Sequence, residues 1–93
     1  MDNKIPHILI VDDDANLLET MSDILKLKGF EPVTAQTGGM ALELLEKHHF
    51  ELALLDLRLE DMSGLNILRA IKTHSPETEC ILLTGHASQD TAI

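Results

Sequence analysis

Four polar residues directly follow short apolar runs of the sequence. They are Asp12 and Asp13 after residues 8–11, Asp56 after residues 52–55, and Thr84 after residues 80–83. If these runs are parallel strands, the polar residues lie beyond the carboxyl ends of the strands, where open α/β sheets bind ligands. The three carboxylates converge on one crevice if the first and third strands are neighbours. Clustered carboxylates repel one another unless a cation is bound, so the set indicates a ligand site.

An all-oxygen cluster of this kind suits Mg²⁺, which keeps several water ligands and binds together with phosphate groups. Phosphoryl transfer requires mainly that the transferred group be positioned and its charge neutralised, and a carboxylate can serve as the covalent acceptor. Thr84 supplies a hydroxyl that could hydrogen-bond a phosphoryl oxygen, and Gly85 beside it leaves room for the group. These residues therefore predict a magnesium-dependent phosphoryl site. Asp14 is interpreted separately, as the cap of the following helix.

Strands and helices are predicted to alternate along the chain. Solidly apolar or β-branched runs predict four strands, at residues 8–11, 30–35, 52–55 and 80–83. Apolar residues at spacings of three and four predict helices over residues 15–28, over residues 40–48 and over a segment that ends before Ser75. This alternation predicts an α/β fold with a mostly parallel sheet covered on both faces.

Particular residues are expected to begin, end or place these elements. Gly29 should close the first helix in the left-handed conformation. Pro32 lacks an amide hydrogen, so the second strand should lie at a sheet edge. Residues 37–39 are expected to form a turn, and Ser88 is expected to cap a fourth helix.

The composition of the 93-residue chain excludes several classes of protein. Sixteen acidic against seven basic residues give a formal net charge of −9, and such a field repels nucleic acid. No apolar run approaches the roughly 20 residues needed to span a bilayer, and the first residues show no signal-peptide pattern. We therefore expect a cytoplasmic protein with no direct nucleic-acid or membrane binding. The single cysteine, Cys80, is expected to be a small buried side chain.

Three sequence blocks resemble bacterial two-component response-regulator receiver domains (CheY-like). The blocks are ILIVDDD at residues 8–14, LLDLRLEDMSG at residues 54–64 and ILLTGH at residues 81–86. The resemblance implies a flavodoxin-like, doubly wound parallel sheet with strand order 2-1-3-4. It also implies that residues 1–93 are one receiver domain, incomplete at its C-terminus because the family's last strand and helix are lacking. Arg58 and residues 86–88 add a weaker resemblance to the receivers of ATPase-type transcription activators.

The resemblance also implies a role for each matching residue. Asp56 would be the phosphoacceptor, receiving a phosphoryl group from a histidine kinase or phosphotransfer protein. Mg²⁺ would be bound directly by Asp13 and Asp56, by Asp12 mainly through water, and by the backbone carbonyl of Arg58. Thr84 would hydrogen-bond the phosphoryl group and act in switching, while Arg58 and His86 would flank the group and tune its hydrolysis. The domain would be a signalling switch rather than an enzyme, acting on an output domain or target protein outside this chain.

Two departures from the family pattern keep other functions open. The first is Glu60, which stands where the family usually has proline. The second is the expected lack of the family's fifth strand, which carries a lysine and an aromatic switch residue. One alternative is a truncated interaction module that is not efficiently phosphorylated. Another is a phosphohydrolase, which Arg58 disfavours because such enzymes need a second aspartate at that position. The fourth strand is expected to be an exposed edge, through which the chain could form a dimer or exchange elements with a second copy.

Overall fold

The computed structural model describes residues 5–83, which form four strands and three helices. In chain order the elements are β1 (His7–Val11), α1 (Ala15–Leu27), β2 (Glu31–Ala35), α2 (Gly38–Lys47), β3 (Leu52–Asp56), α3 (Gly64–His74) and β4 (Glu79–Leu83). The predicted alternation is confirmed over this range. Thr84, His86 and the helix predicted after Ser88 lie outside the described residues. Within them, no helix has the length and apolar character that crossing a membrane requires.

All strand pairs of the four-stranded sheet are parallel, and the order β2-β1-β3-β4 confirms the predicted order. Val11 at the end of β1 pairs with Leu55 in β3. The next residue of each strand, Asp12 and Asp56, therefore reaches the same edge of the sheet. Among the described strands β2 pairs with β1 alone, so Pro32 lies in an edge strand as predicted.

Helices cover both faces of the sheet, and β1 supplies apolar side chains to each face. Leu9 and Val11 belong to a core cluster that also contains Phe50, Ile67 and Ile71, on the side of α2 and α3. Ile8 and Ile10 pack with Leu18 of α1 on the opposite side. Each fully buried side chain of this size contributes roughly 1.5–3 kcal/mol through removal from water. The continuous apolar run in β1 is therefore explained by burial on both faces. Cys80 is only half buried, packed against the first cluster.

Helix α1 begins and ends at the predicted signals. Oδ1 of Asp14 accepts hydrogen bonds from the N–H groups of Asn16 and Leu17, at 3.0 and 3.2 Å. At the other end Gly29 has a φ of +92°, a conformation that costs glycine little. Its N–H donates to the carbonyl of Lys26, and the next N–H donates to the carbonyl of Leu25, both at 3.0 Å. This pattern of bonds turns the chain sharply from α1 into β2.

The start of α2 differs from the prediction. Residues 37–39 were expected to form a turn, whereas the helix begins at Gly38 with Thr37 as its N-cap, whose Oγ1 accepts from the N–H of Met40 at 3.1 Å. The prediction was wrong because the glycines were interpreted as turn formers. Gly38 is buried, and the side chain of Met62 fills the space that a Cβ at this position would need. This glycine is required for close packing at a helix start.

Candidate functional site

Three aspartates from the ends of β1 and β3 come together at the carboxyl edge of the sheet. Asp12, Asp13 and Asp56 each offer a carboxylate oxygen, and these oxygens all lie within 4.8 Å of one another. Asp12 and Asp56 are only 5% and 2% exposed, whereas Asp13 is intermediate. The pairing of β1 with β3 explains this convergence, because it brings two strand ends side by side. The cluster is thus deeply buried on one side and accessible at Asp13.

Backbone N–H groups orient two of these carboxylates. Oδ1 of Asp12 accepts from the N–H of Asp14 at 2.9 Å, and Oδ1 of Asp56 accepts from the N–H of Arg58 at 3.2 Å. Burial raises the pKa of Asp12 above its ordinary value of 3.8, and the neighbouring charges of Asp56 and Asp13 raise this pKa further, against the opposing effect of the Asp14 hydrogen bond. Ionisation of Asp12 therefore costs free energy in the metal-free fold.

The donor set fits a hard divalent cation. Octahedral Mg²⁺ with ligands at about 2.0–2.1 Å places neighbouring oxygens ~2.9 Å apart and opposite oxygens ~4.2 Å apart. Carboxylate oxygens that lie within 4.8 Å of one another reach such spacings with small side-chain adjustments. The partial exposure of Asp13 also suits an ion that retains water. A cation would in addition offset the repulsion that raises the pKa of Asp12.

The loop between β3 and α3 folds back on itself as a short hairpin. Arg58 and Ser63 form an antiparallel bridge, and the N–H of Leu59 donates to the carbonyl of Met62 at 3.2 Å. At the base of the hairpin the N–H of Gly64 donates to the carbonyl of Leu57 at 2.9 Å. We call residues 57–63 the β3–α3 hairpin, because this segment connects Asp56 at the end of β3 to the start of α3. Its pairing fixes the backbone of Arg58 beside the carboxylate cluster.

Two residues of this region were missed as functional candidates in the sequence. Gly64 is buried against the backbone of Asp56, and a Cβ at this position would overlap the Asp56 carbonyl oxygen. Asp61 accepts hydrogen bonds from the N–H groups of Gly38 and Gly39 at the start of α2, and these bonds lower its pKa. Gly64 lies within a block that carries the family resemblance, which was the available signal. Asp61 lies within the same block, but its contact with α2 has no local signal, because its partners are 22 and 23 positions away.

Comparison with known proteins identifies the family. The family model described as the response regulator receiver domain matches residues 8–93, and this chain belongs to that family. It is thus a phosphoacceptor-type domain of two-component response regulators. Receiver domains are signalling switches rather than turnover enzymes. The three carboxylates described above lie within the residues that the family model matches.

Individual relatives and structures agree with this assignment. Regulatory protein AtoC of Escherichia coli (strain K12) is 37% identical over 89 residues, which cover 96% of this chain and 19% of AtoC. The crystal structure of a CheY-like receiver domain protein from Methanospirillum hungatei JF-1 has a TM-score of 0.87 and 37% identity, covering 96% of this chain and 71% of that one. Response regulator protein TrrA from Thermotoga maritima, in complex with Mg(2+)-BeF, has a TM-score of 0.80 and 28% identity, covering 95% and 78% respectively. The chain spans about a fifth of the length of AtoC and of transcriptional regulatory protein GlrR, a second relative from Escherichia coli (strain K12).

Proposed function

We propose that this chain, as a single receiver domain over residues 1–93, accepts a phosphoryl group on Asp56 from a histidine kinase or phosphotransfer protein. The observation that carries the proposal is the convergence of Asp12, Asp13 and Asp56 at the carboxyl edge of a parallel sheet. Asp56 ends β3 and is 2% exposed. At this position β3 would hold the acceptor carboxylate in place, while the phosphodonor would approach from the side of the surrounding loops.

In the proposed reaction a carboxylate oxygen of Asp56 attacks the phosphorus of a phosphohistidine. The new O–P bond gives an acyl phosphate, while the P–N bond breaks and its electron pair returns to the imidazole of the donor. The hydrogen bond from the N–H of Arg58 to Oδ1 of Asp56 orients the carboxylate for this attack. With acetyl phosphate as donor the same attack would constitute self-phosphorylation, and water attack on the acyl phosphate would constitute self-dephosphorylation.

We propose Mg²⁺ as the cofactor of this reaction. Asp13 and Asp56 would bind the ion directly, Asp12 mainly through water, and the carbonyl of Arg58 would supply a further oxygen. When bound, the ion would supply positive charge that offsets the carboxylates and the oxygens of the transferred group. The spacing of the carboxylate oxygens supports this assignment, as does the similarity to the TrrA structure, which is in complex with Mg(2+)-BeF.

Three residues are proposed to act around the phosphoryl group. Asp56 pairs with Leu83 in the sheet register, and Thr84 is the next residue of the chain, which supports a phosphoryl hydrogen bond and a switching role for Thr84. The side chain of Arg58 is exposed next to the acceptor, which supports a role in tuning hydrolysis. His86 is proposed for a similar flanking role on the strength of the resemblance alone.

Incubation with acetyl phosphate and Mg²⁺, followed by intact-mass measurement, tests the proposal. We expect a hydroxylamine-sensitive adduct with the mass of one phosphoryl group, and no adduct in Asp56→Asn. Asp14→Asn is a matched control, because it removes the same charge nearby while asparagine retains the capping capacity, and it should form the adduct. An adduct in Asp56→Asn would move the acceptor elsewhere. Steady phosphate release without an adduct would favour a phosphohydrolase. The absence of both an adduct and phosphate release would favour the interaction module.

The partners proposed for the domain are a phosphodonor, an output domain or target protein, and a second copy of the chain. Among the described strands β4 pairs with β3 alone, and Ile81 and Leu82 on β4 are 50% and 36% exposed. An edge strand with apolar side chains favours pairing with another chain. Light scattering coupled to size exclusion should detect a dimer that Ile81→Lys weakens. A monomer at tens of micromolar would contradict this contact.

A further inference from the structure

Asp61 connects the hairpin of the candidate site to the beginning of α2. Its Oδ1 accepts from the N–H of Gly38 at 2.9 Å, and its Oδ2 accepts from the N–H of Gly39 at 3.0 Å. We call this pair of hydrogen bonds the Asp61 clamp. Both oxygens of one carboxylate are used, and they face the end of a helix where negative charge is favoured. The clamp joins two segments that are more than twenty positions apart in the chain.

An apolar contact reinforces the clamp. The side chain of Met62 lies against the buried backbone of Gly38, where a Cβ would overlap its Cγ and Sδ. Met62 also packs against the main core cluster. The tip of the hairpin is therefore attached to α2 by two charge-assisted hydrogen bonds and to the core by an apolar side chain.

Hydrogen bonds within the hairpin connect its attached tip to Asp56, the proposed acceptor. Met62 accepts the hydrogen bond from the N–H of Leu59 at 3.2 Å, and Arg58 is bridged to Ser63. The N–H of Arg58 then donates to Oδ1 of Asp56 at 3.2 Å. Hydrogen bonds, joined by short stretches of backbone between Asp61 and Met62 and between Leu59 and Arg58, thus connect the first turn of α2 to the carboxylate of Asp56.

We propose that Asp61 is a positioning residue for phosphoryl transfer, a role that rests on the function proposed above. The clamp holds the hairpin in the arrangement in which the Arg58 backbone meets Asp56. Helix α2 has its own N-cap, because Thr37 accepts from the N–H of Met40 at 3.1 Å. The clamp therefore acts on two segments, because it supplies acceptors to the N–H groups of Gly38 and Gly39 at the start of α2 and also restrains the loop that follows Asp56.

Variants of Asp61 and of the adjacent Glu60 distinguish the loss of the Asp61 hydrogen bonds from the loss of a negative charge in this loop. In Asp61→Ala we expect phosphorylation by acetyl phosphate and Mg²⁺ to slow about tenfold, as is typical when a residue that supports a metal site is removed. Asp61→Asn retains one acceptor oxygen and should give an intermediate rate. Glu60→Gln removes the same charge from the adjacent position, and the Glu60 side chain makes no hydrogen bond with any other described residue. Its rate should stay within about twofold of wild type.

A double variant separates positioning from stability. An added Cβ at Gly39 would meet Oδ2 of Asp61 at 3.6 Å and Oγ1 of Thr37 at 4.0 Å, which is ordinary contact, and alanine favours the helix. Asp61→Ala combined with Gly39→Ala should therefore recover part of the lost melting temperature while its phosphorylation stays as slow as in Asp61→Ala. Recovery of the rate together with the melting temperature would overturn the proposal, and so would an equal loss of rate in Glu60→Gln.

A second measurement needs neither Mg²⁺ nor a phosphodonor. In the metal-free protein, Asp61→Ala should shift the backbone amide resonance of Arg58 and accelerate its hydrogen exchange, whereas Glu60→Gln should leave both unchanged. An unchanged Arg58 amide in Asp61→Ala would overturn the positioning role even if Asp56 is phosphorylated normally. Conversely, a wild-type chain that forms no adduct but shows the Arg58 response would refute the proposed function while supporting the coupling between Asp61 and the loop.

Discussion

Gly64→Ala should destabilise the fold strongly, because α3 begins against the end of β3, which carries the proposed acceptor Asp56. A Cβ at this buried glycine would overlap the carbonyl oxygen of Asp56 and lie 3.0 Å from its carbonyl carbon and 3.1 Å from the Cα of Leu57. All three atoms belong to the backbone. They cannot move aside by a side-chain rotation, so either α3 or the segment after Asp56 must shift.

The size of the effect follows from two opposing contributions. Alanine at a helical position is favoured over glycine by roughly 0.5–1 kcal/mol, whereas an extra methyl group in a filled space costs typically 1–3 kcal/mol. Because the overlap is with rigid backbone, the upper end of that range applies, and the net loss is about 2 kcal/mol. In a domain of this size a loss of about 2 kcal/mol lowers Tm by roughly 8–16 °C.

Two other glycines at a helix start provide matched controls. Gly39→Ala meets nothing closer than 3.6 Å and should raise stability by roughly 0.5–1 kcal/mol. Gly38→Ala would displace the side chain of Met62, which can adopt other rotamers, so its stability should fall between the other two variants. Thermal unfolding followed by far-ultraviolet circular dichroism, with urea unfolding as a second measure, gives the ranking.

The order of the three melting temperatures tests the close approach of α3 to Asp56. If Gly64→Ala melts at or above the temperature of Gly39→Ala, the close approach of α3 to Asp56 is wrong. A large loss in Gly64→Ala should also slow phosphorylation, because any backbone shift that accommodates the methyl group moves Asp56. A destabilised variant with an unchanged rate would show that the acceptor does not depend on this contact.

Two further predictions concern the carboxylate cluster. Mg²⁺ should raise the Tm of the wild-type chain, by an amount that corresponds to about 2.7 kcal/mol at one hundred times Kd, and much less in Asp13→Asn; an equal rise in both proteins would indicate general ionic screening. In the absence of metal, the raised pKa of Asp12 means that the folded state holds this proton more tightly than the unfolded state, so the contribution of Asp12 to stability should fall as pH rises from about 3.8 through the raised value. The urea midpoint of Asp12→Asn should lack this contribution and therefore fall less, or rise more, with pH than that of the wild type. Identical pH profiles of the two proteins would refute the raised pKa of Asp12.

The alternation of strands and helices was predictable because its signals are local. The run of residues 8–11 is buried on both faces, and nothing but apolar side chains satisfies that environment. Asp14 and Gly29 begin and end α1 through hydrogen bonds to residues within four positions. Such signals act over one helical turn, so the sequence of that turn is sufficient to recognise them.

Strand order is a different kind of information. Apolar strands do not specify their neighbours by composition, so the adjacency of β1 and β3 was a condition of the prediction when it rested on the residues alone. The resemblance to receiver domains supplied the order 2-1-3-4, which the sheet confirms. The convergence of Asp12, Asp13 and Asp56 depends on that order, because β3 must pair with β1 before its terminal aspartate can reach the other two.

Glu60 and Asp61 show why the remaining part of the site was not predictable. They are adjacent acids at the tip of one hairpin, both exposed, and their sequence context does not distinguish them. Only Asp61 reaches the amides of α2, because the packing of Met62 on Gly38 brings that helix start to the hairpin. The same tertiary contact explains why Gly38, interpreted as a turn residue, is a packing residue. A family motif can therefore locate a proposed acceptor such as Asp56, whose surroundings are fixed by strand pairing. The residues that hold its loop in place depend on contacts between segments distant in sequence, which only the folded structure brings together.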